Sequence, residues 1–342
     1  MQFPTSPSAG DQFLAEQGRL YQYSANGWSI KNDLGGNPFL YRTIITRGYV
    51  SCGYKSGSPW RNINRCVHAT DTTTNLGDLW SNTCSYKDGS FSDYHHYMYG
   101  MTGTHSGTGT YTGKFDMSTE TEMTHTTAQN LITARQDMDI LQNPGWTIAY
   151  ICGGTSGTNT DKHNMVTGTM YTTGSPATVA GGTVQGVGVL FGQYKGWVSQ
   201  GTTSSECGSL DWTTETFSSG GISWATDGQP KGLSSKHGHG YGATGTYGGS
   251  ATYLKFNDAT GATIGSGVTR PQAAGEENQN LGQNSGYTLG LYNGSAQTNA
   301  STKLSYLTDT IVSLGATAQP KGHDGMSSGG CGSASALVVG GN

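Results

Sequence analysis

The sequence predicts an all-β chain, a ring of seven small sheets preceded by a short β-meander. Three observations predict it. Gly accounts for 55 of 342 residues, well above average usage. Charged residues make up only 12% of the chain. A Thr- and Asp-rich motif returns at a nearly constant interval along most of the sequence.

Composition bounds the class. A Gly/Ser/Thr/Asn-rich chain can be disordered, but 19 Tyr, 7 Trp and 8 Phe argue for a packed interior. Gly supplies the positive φ that tight turns need, and Thr and Tyr suit half-buried pleated strands. Many short strands joined by many turns is the reading that fits both. The net charge is −4 and Lys and Arg form no block, so no nucleic-acid partner is expected. No run approaches the roughly 18 apolar residues of a spanning helix, so no membrane insertion is expected. The start, Met1-Gln-Phe-Pro-Thr-Ser-Pro-Ser, lacks the basic and apolar regions of a secretory signal. The six Cys, at 52, 66, 84, 152, 207 and 331, form no CxxC and read as small buried hydrophobes. Cys52 and Cys66 flank a predicted hairpin.

The repeat carries the fold. Phe115-Asp-Met-Ser-Thr-Glu-Thr121 matches Leu210-Asp-Trp-Thr-Thr-Glu-Thr216 nearly position for position. Looser copies are Phe256-Asn-Asp-Ala-Thr-Gly-Ala262 and Leu304-Ser-Tyr-Leu-Thr-Asp-Thr310. Val67-His-Ala-Thr-Asp-Thr-Thr73 and His163-Asn-Met-Val-Thr-Gly-Thr169 are weaker ones. The copies begin at 67, 115, 163, 210, 256 and 304, so they are 46–48 residues apart. Before each lies a short apolar or aromatic run ending in Gly, such as Tyr97-Met-Tyr-Gly100 and Tyr287-Thr-Leu-Gly290. Each unit therefore reads as strand, polar loop, strand, then a turn closed by Asp, Asn or Thr side chains on local N–H groups. Asp116, Asp211, Asp258 and Asp309 are the expected structural turn residues. A partial seventh copy, Gly332-Ser-Ala-Ser-Ala-Leu-Val-Val339, is expected to pair with strands from residues 37–47 and close the ring. Units of this size with about four strands are those of a β-propeller.

The strand, Gly-rich loop, strand, turn unit resembles kelch-type propeller repeats, which implies a seven-bladed kelch-like propeller over residues 34–342. Residues 1–33 differ. They carry Phe3-Pro-Thr-Ser-Pro-Ser-Ala-Gly-Asp11-Gln-Phe, then Tyr21-Gln-Tyr23 and Gly27-Trp28. This resembles a short module of bacteriophage tail-fibre and other virion proteins. Physically it is a small β-meander, with turns at Gly-Asp and Asn-Gly and with Phe3, Phe13, Tyr21, Tyr23 and Trp28 as its apolar side chains. About 30 residues bury too little to be stable alone, so these five residues are the expected docking contacts to another subunit or to the propeller.

No catalytic motif is evident. There is no Gly-x-Ser-x-Gly elbow, P-loop or His-Glu-x-x-His, and no helix follows the Gly-rich runs. The stretch 128–135 is helix-like but short, and reads as a connection. His95-His96, His237-Gly-His239 and His323-Asp324 read as structural, and Glu276-Glu277 as a solvated loop, so no catalytic residue, metal or cofactor is expected. Trp60, Trp80, Tyr94, Tyr194 and Trp197 are the candidate sugar-stacking residues if they lie on loops, and core residues if they do not. The resemblance and the absent signal together imply a virion structural protein in several copies per particle. Its N-terminus would bind other virion proteins and its propeller a host cell-surface glycan. The alternative is a propeller lectin or a carbohydrate-active enzyme.

Overall fold

Every described element is a β-strand. The computed structural model describes residues within 12–30, 47–80, 90–101, 110–143, 147–172, 189–199, 206–223, 231–243, 252–269, 277–292 and 297–314. Near the N-terminus, β1 (Gln12–Leu14), β2 (Leu20–Ser24) and β3 (Gly27–Ile30) form an antiparallel meander. Its register sets Phe13 opposite Tyr21 and Tyr23 opposite Trp28. Four of the five expected aromatic residues thus fall on facing positions of neighbouring strands; Phe3 lies outside the described residues.

Six sheets follow, one for each full copy of the motif. Sheet A holds β4 (Arg47–Ser51), β7 (Asn62–Val67) and β8 (Thr72–Asp78), with the small hairpin β5 (Tyr54–Lys55) and β6 (Ser58–Pro59) between β4 and β7. Sheet B holds β9 (Ser90–Ser92), β10 (Tyr97–Met101), β11 (Thr112–Asp116) and β12 (Thr121–Glu122). Sheet C holds β13 (Asp139–Gln142), β14 (Ile148–Cys152), β15 (Thr160–Asn164) and β16 (Thr169–Thr172). Sheet D holds β17 (Val189–Phe191), β18 (Lys195–Ser199), β19 (Glu206–Asp211) and β20 (Phe217–Ser223). Sheet E holds β21 (Lys231–Ser234), β22 (His239–Ala243), β23 (Thr252–Asn257) and β24 (Val268–Thr269). Sheet F holds β25 (Glu277–Leu281), β26 (Ser285–Tyr292), β27 (Gln297–Ser305) and β28 (Thr310–Ser313). All are antiparallel meanders in sequence order.

The third strands show why the sheets stack. In β11, β15 and their counterpart β7 burial falls on both faces, while the edge strand β8 carries only exposed and half-buried residues. A strand buried on both faces needs a neighbour on each side. Tyr49, Ile63 and Trp80 from sheet A pack with Met98, Phe115 and Met117 from sheet B. Leu141, Tyr150 and Cys152 of sheet C pack with Leu210 of sheet D. Tyr241 and Tyr253 of sheet E pack with Leu304 and Tyr306 of the sheet F unit. Each large side chain so buried contributes roughly 1.5–3 kcal/mol. Strand β13 also lies beside β17, β17 beside β21, β21 beside β25, and β25 beside β4. Sheet F therefore meets sheet A, and Tyr287 packs on Cys66. The partial copy at 330–341 and most of residues 37–47 lie outside the described residues.

The turn after the third strand is the most regular feature. The carboxylate or amide oxygen of Asp116, Asn164, Asp211 or Asn257 accepts N–H groups two and three residues on, at 2.8–3.3 Å. Four residues on, the chain turns left-handed at Glu120, Gly168, Glu215 and Gly261. Asp71 and Asp309 take the same conformation, both with φ of 53°. Two Thr hydroxyls flanking that residue bond each other at 2.7–2.8 Å in five turns, for example Thr119 with Thr121.

Asp116 and Asp211 thus hold turns as expected, and the turn bonds hold the Asp211 carboxyl below its usual range. Two expectations change. In sheet E the turn acceptor is Asn257; its neighbour Asp258 lies outside the described residues. Asp309 occupies the left-handed position, while Ser305 Oγ accepts from Thr308 N–H at 3.4 Å. The first copy also shifts by one. Arg65 pairs with Tyr49 as Lys114 pairs with Tyr99, so Cys66, not Val67, corresponds to Phe115. The stretch 128–135 gives no helix among its described residues; Leu131 is buried and its N–H donates to Thr110 C=O.

Asp211→Ala removes two backbone turn bonds and one from the Thr214 hydroxyl, and should lower unfolding free energy by about 0.5–2 kcal/mol. Urea denaturation will read it; an unchanged midpoint would show that the turn holds itself.

Candidate functional site

A recurrent polar cluster sits at the seams between sheets. It starts from one cross-strand pair. Tyr49, Tyr99, Tyr150, Trp197, Tyr241 and Tyr287 stand opposite Arg65, Lys114, Lys162, Ser209, Lys255 and Lys303, on β4 and β7 in sheet A and on the second and third strands of the other sheets. All six aromatics are at most 2% exposed. At four seams the Tyr and the cation meet an acidic left-handed residue of the next sheet's turn.

At the A–B seam, Tyr49 Oη donates to Glu120 Oε1 at 3.2 Å and Arg65 Nη1 to the same oxygen at 2.6 Å. Tyr49 Oη also lies 3.1 Å from Met117 C=O. At the C–D seam, Tyr150 Oη donates to Glu215 Oε1 at 2.9 Å, joined by Lys162 Nζ. At the E–F seam, Tyr241 and Lys255 donate to Asp309, with Lys255 Nζ 2.7 Å from Oδ2. At the F–A seam, Tyr287 Oη donates to Asp71 Oδ1 at 2.8 Å, and Lys303 Nζ reaches both carboxylate oxygens at 2.9 Å. Charge-assisted bonds of this kind are stronger than neutral ones.

The other two seams are built differently. The left-handed positions of sheets C and E are Gly168 and Gly261. At the B–C seam Tyr99 Oη donates to Met165 C=O at 3.4 Å and its ring lies 4.6 Å from that of His163. Lys114 Nζ sits 3.8 Å over the Tyr97 ring, a cation–π contact. His163 fills the slot that Phe115 and Phe256 fill elsewhere and is fully buried. Burial, with the nearby Lys114 charge, lowers its pKa to about 3.

Electrostatics at the acid seams suit holding, not proton transfer near neutral pH. Burial pushes Tyr49 up to about 12, opposed by its interaction with Arg47 and assisted by the Glu120 carboxylate. Burial and the Asp309 carboxylate raise Tyr241; burial and Asp71 raise Tyr287. Burial pushes Asp309 up, but Lys255 and Tyr241 together hold it below its usual range. The three phenols thus stay protonated near neutral pH, and the Asp309 carboxylate stays ionised.

Two of the expected sugar-stacking residues are core. Trp80 is 2% exposed and lies against the backbone of Gly100 and Gly113, where an added Cβ would come within 2.7 and 2.5 Å of its ring. That contact explains the Gly ending the Tyr97-Met-Tyr-Gly100 run. Trp197 is also 2% exposed. Neither ring offers a face to a sugar. Trp60, Tyr94 and Tyr194 lie outside the described residues. So do His95, His96, His237, His323 and Glu276, while His239 opens β22 and Glu277 opens β25. Among the described residues no three His, Cys, Asp or Glu side chains gather as metal ligands, and Cys66 and Cys152 are buried free thiols. The seam residues Asp71, Glu120 and Glu215, with their Tyr and Lys or Arg partners, were missed as a group. The signal was there: the sixth position of the motif is acid or Gly, and the residue before the first is usually Lys or Arg.

The chain matches no protein-family model and no curated protein.

Two outcomes follow from the seams. Glu215→Gly relaxes a left-handed backbone yet strands Lys162 and Tyr150. It should lower unfolding free energy by about 1–2 kcal/mol, since a half-buried pair outweighs a local strain of about 1 kcal/mol; a gain in stability would reverse that order. For His163 the depressed pKa means that the unfolded chain binds a proton below about pH 6.5 while the folded chain stays neutral to about 3. Its contribution is present above pH 6.5 and declines as pH falls toward 3, by up to about 4 kcal/mol. His163→Phe should flatten the stability curve between pH 7 and 4; parallel curves for the two proteins would refute this.

Proposed function

We propose that the chain is a structural protein of a bacteriophage particle, docked through residues 1–33 and presenting the repeated sheets as a propeller that attaches to host-surface glycan. The observation that carries this reading is how the repeat uses its charges. In four seams the carboxylates and cations bind one another between sheets, and the turns carry exposed Ser118, Thr119, Thr167, Thr213, Thr214 and Thr308. A scaffold that spends its ionic groups on cohesion and exposes hydroxyls suits a binding surface better than a catalytic cleft. Neutral, hydroxyl-rich ligands match such a surface, and several copies per particle add weak contacts through avidity.

The propeller reading draws support from the direct meeting of sheets F and A. That contact favours six blades over the seven expected from the motif count, since it leaves no gap for a further sheet between them. The docking reading draws support from the separate β1–β3 meander and from its resemblance to virion modules. Purified particles should contain the chain in stoichiometric amount by mass spectrometry. Deleting residues 1–33 should abolish incorporation while the remaining protein still binds host cells or their polysaccharide. Particles that incorporate the truncated protein normally would sink the docking role, and a truncated protein that is folded but does not bind would sink the attachment role.

A further inference from the structure

We propose that Asp71 is the clasp that closes the ring, and that the F–A seam is where the ring opens. The proposal rests on the propeller reading above. It comes from comparing the same position in six turns: Asp71, Glu120, Gly168, Glu215, Gly261 and Asp309. Read around the ring, acid and Gly alternate from B to E, so sheets A and B, C and D, and E and F are tied as pairs. Seams B–C and D–E, which join these pairs, have Gly. Seam F–A is the third such junction, and by the alternation it would also have Gly. It has Asp71 instead.

Chain connectivity supplies the reason. At seams B–C and D–E the next sheet follows directly in sequence, so the chain itself keeps the neighbours together. At F–A the contacting residues are far apart: Tyr287 and Lys303 stand 216 and 232 residues from Asp71. The acids at the other seams are 53–71 residues from their partners. Bringing distant parts of a chain together costs more entropy, and no short connection holds this seam. The clasp is correspondingly complete. Both Asp71 oxygens are bonded by Lys303, one also by Tyr287, and Cys66 and Leu314 pack against the Tyr287 ring. The Lys303 and Asp71 side chains are 27% and 30% exposed, so water reaches the clasp and unfolding can begin there. The left-handed backbone at Asp71 suits Asn as well as Asp, so Asp71→Asn removes the charge without disturbing the turn.

The test has two arms. In the first, full-length chains labelled with ¹⁴N and ¹⁵N are mixed and treated with a carbodiimide, which joins a carboxylate to a touching amine. Peptides containing residues 71 and 303 should be joined with matching labels only. Mixed labels would mean that sheet F of one copy meets sheet A of another; the propeller reading then fails while the contact stands. No such product, with Lys255–Asp309 joined as a control, would remove the clasp itself. In the second arm, unfolding rates in urea are compared. Asp71→Asn should unfold on the order of tenfold faster than the natural chain, and Glu215→Gln and Asp309→Asn only about two- to threefold faster. Equal acceleration by all three would refute a special role for Asp71 while leaving the ring intact. Lys303→Gln gives a second reading should Asp71→Asn fail to fold, and the cross-link is read on the natural chain in any case.

Discussion

The structure depends on a carboxylate presented from a left-handed turn to a Tyr and a cation on the neighbouring sheet. A small antiparallel sheet has two faces to bury and no means of doing so alone. Stacking against its neighbours covers both faces, but apolar contact has no direction and does not by itself set the spacing or rotation of one sheet against the next. The seam bonds do. Glu120, Glu215, Asp309 and Asp71 each reach across to a Tyr hydroxyl and at least one cation, and so fix where the next turn must lie. The backbone accepts a positive φ at a Glu, a residue poorly suited to it, because the side chain makes bonds that a relaxed backbone could not place.

The variation between seams has the same cause. Where the acid is replaced by Gly168 or Gly261, the turn loses both its strain and its cross-sheet bond. The B–C seam then relies on other contacts: Tyr99 against His163, Tyr99 Oη to the Met165 carbonyl, and Lys114 over Tyr97. His163 is informative there. Its slot holds Phe, Leu or Cys in the other sheets, and an imidazole is tolerated because it stays neutral at ordinary pH. Repetition with local substitution thus yields seams of unequal strength within one architecture.

This division of labour bears on function. The charged side chains described at the acid seams are occupied between sheets, and the large rings of Trp80 and Trp197 are occupied against Gly backbones and core. What the turns present to solvent is mostly hydroxyl. The described sheets therefore act as a frame, and the N-terminal meander, with aromatic residues at facing register positions, is set apart from the Thr-rich repeat.

The sequence by itself determined the strand class, the period, the Asx-type turns at Asp116 and Asp211, and the N-terminal meander; the Phe13–Tyr21 and Tyr23–Trp28 pairing came from the strand register. These are local properties: turn chemistry, alternation and short-range register act over a few residues and leave their mark in the residues that carry them. It misplaced the first copy by one residue because Cys66 and Val67 are both apolar, and only pairing with Tyr49 separates them. It placed Asp309 among the turn acceptors and Trp80 and Trp197 among candidate ligand contacts, because a side chain's type does not say which face of a strand it leaves or what lies opposite. The tertiary structure decided those points, and it alone showed that Asp71 meets Lys303. That bond joins residues 232 apart, and no local rule relates two positions whose only link is the stacking of the sheets between them.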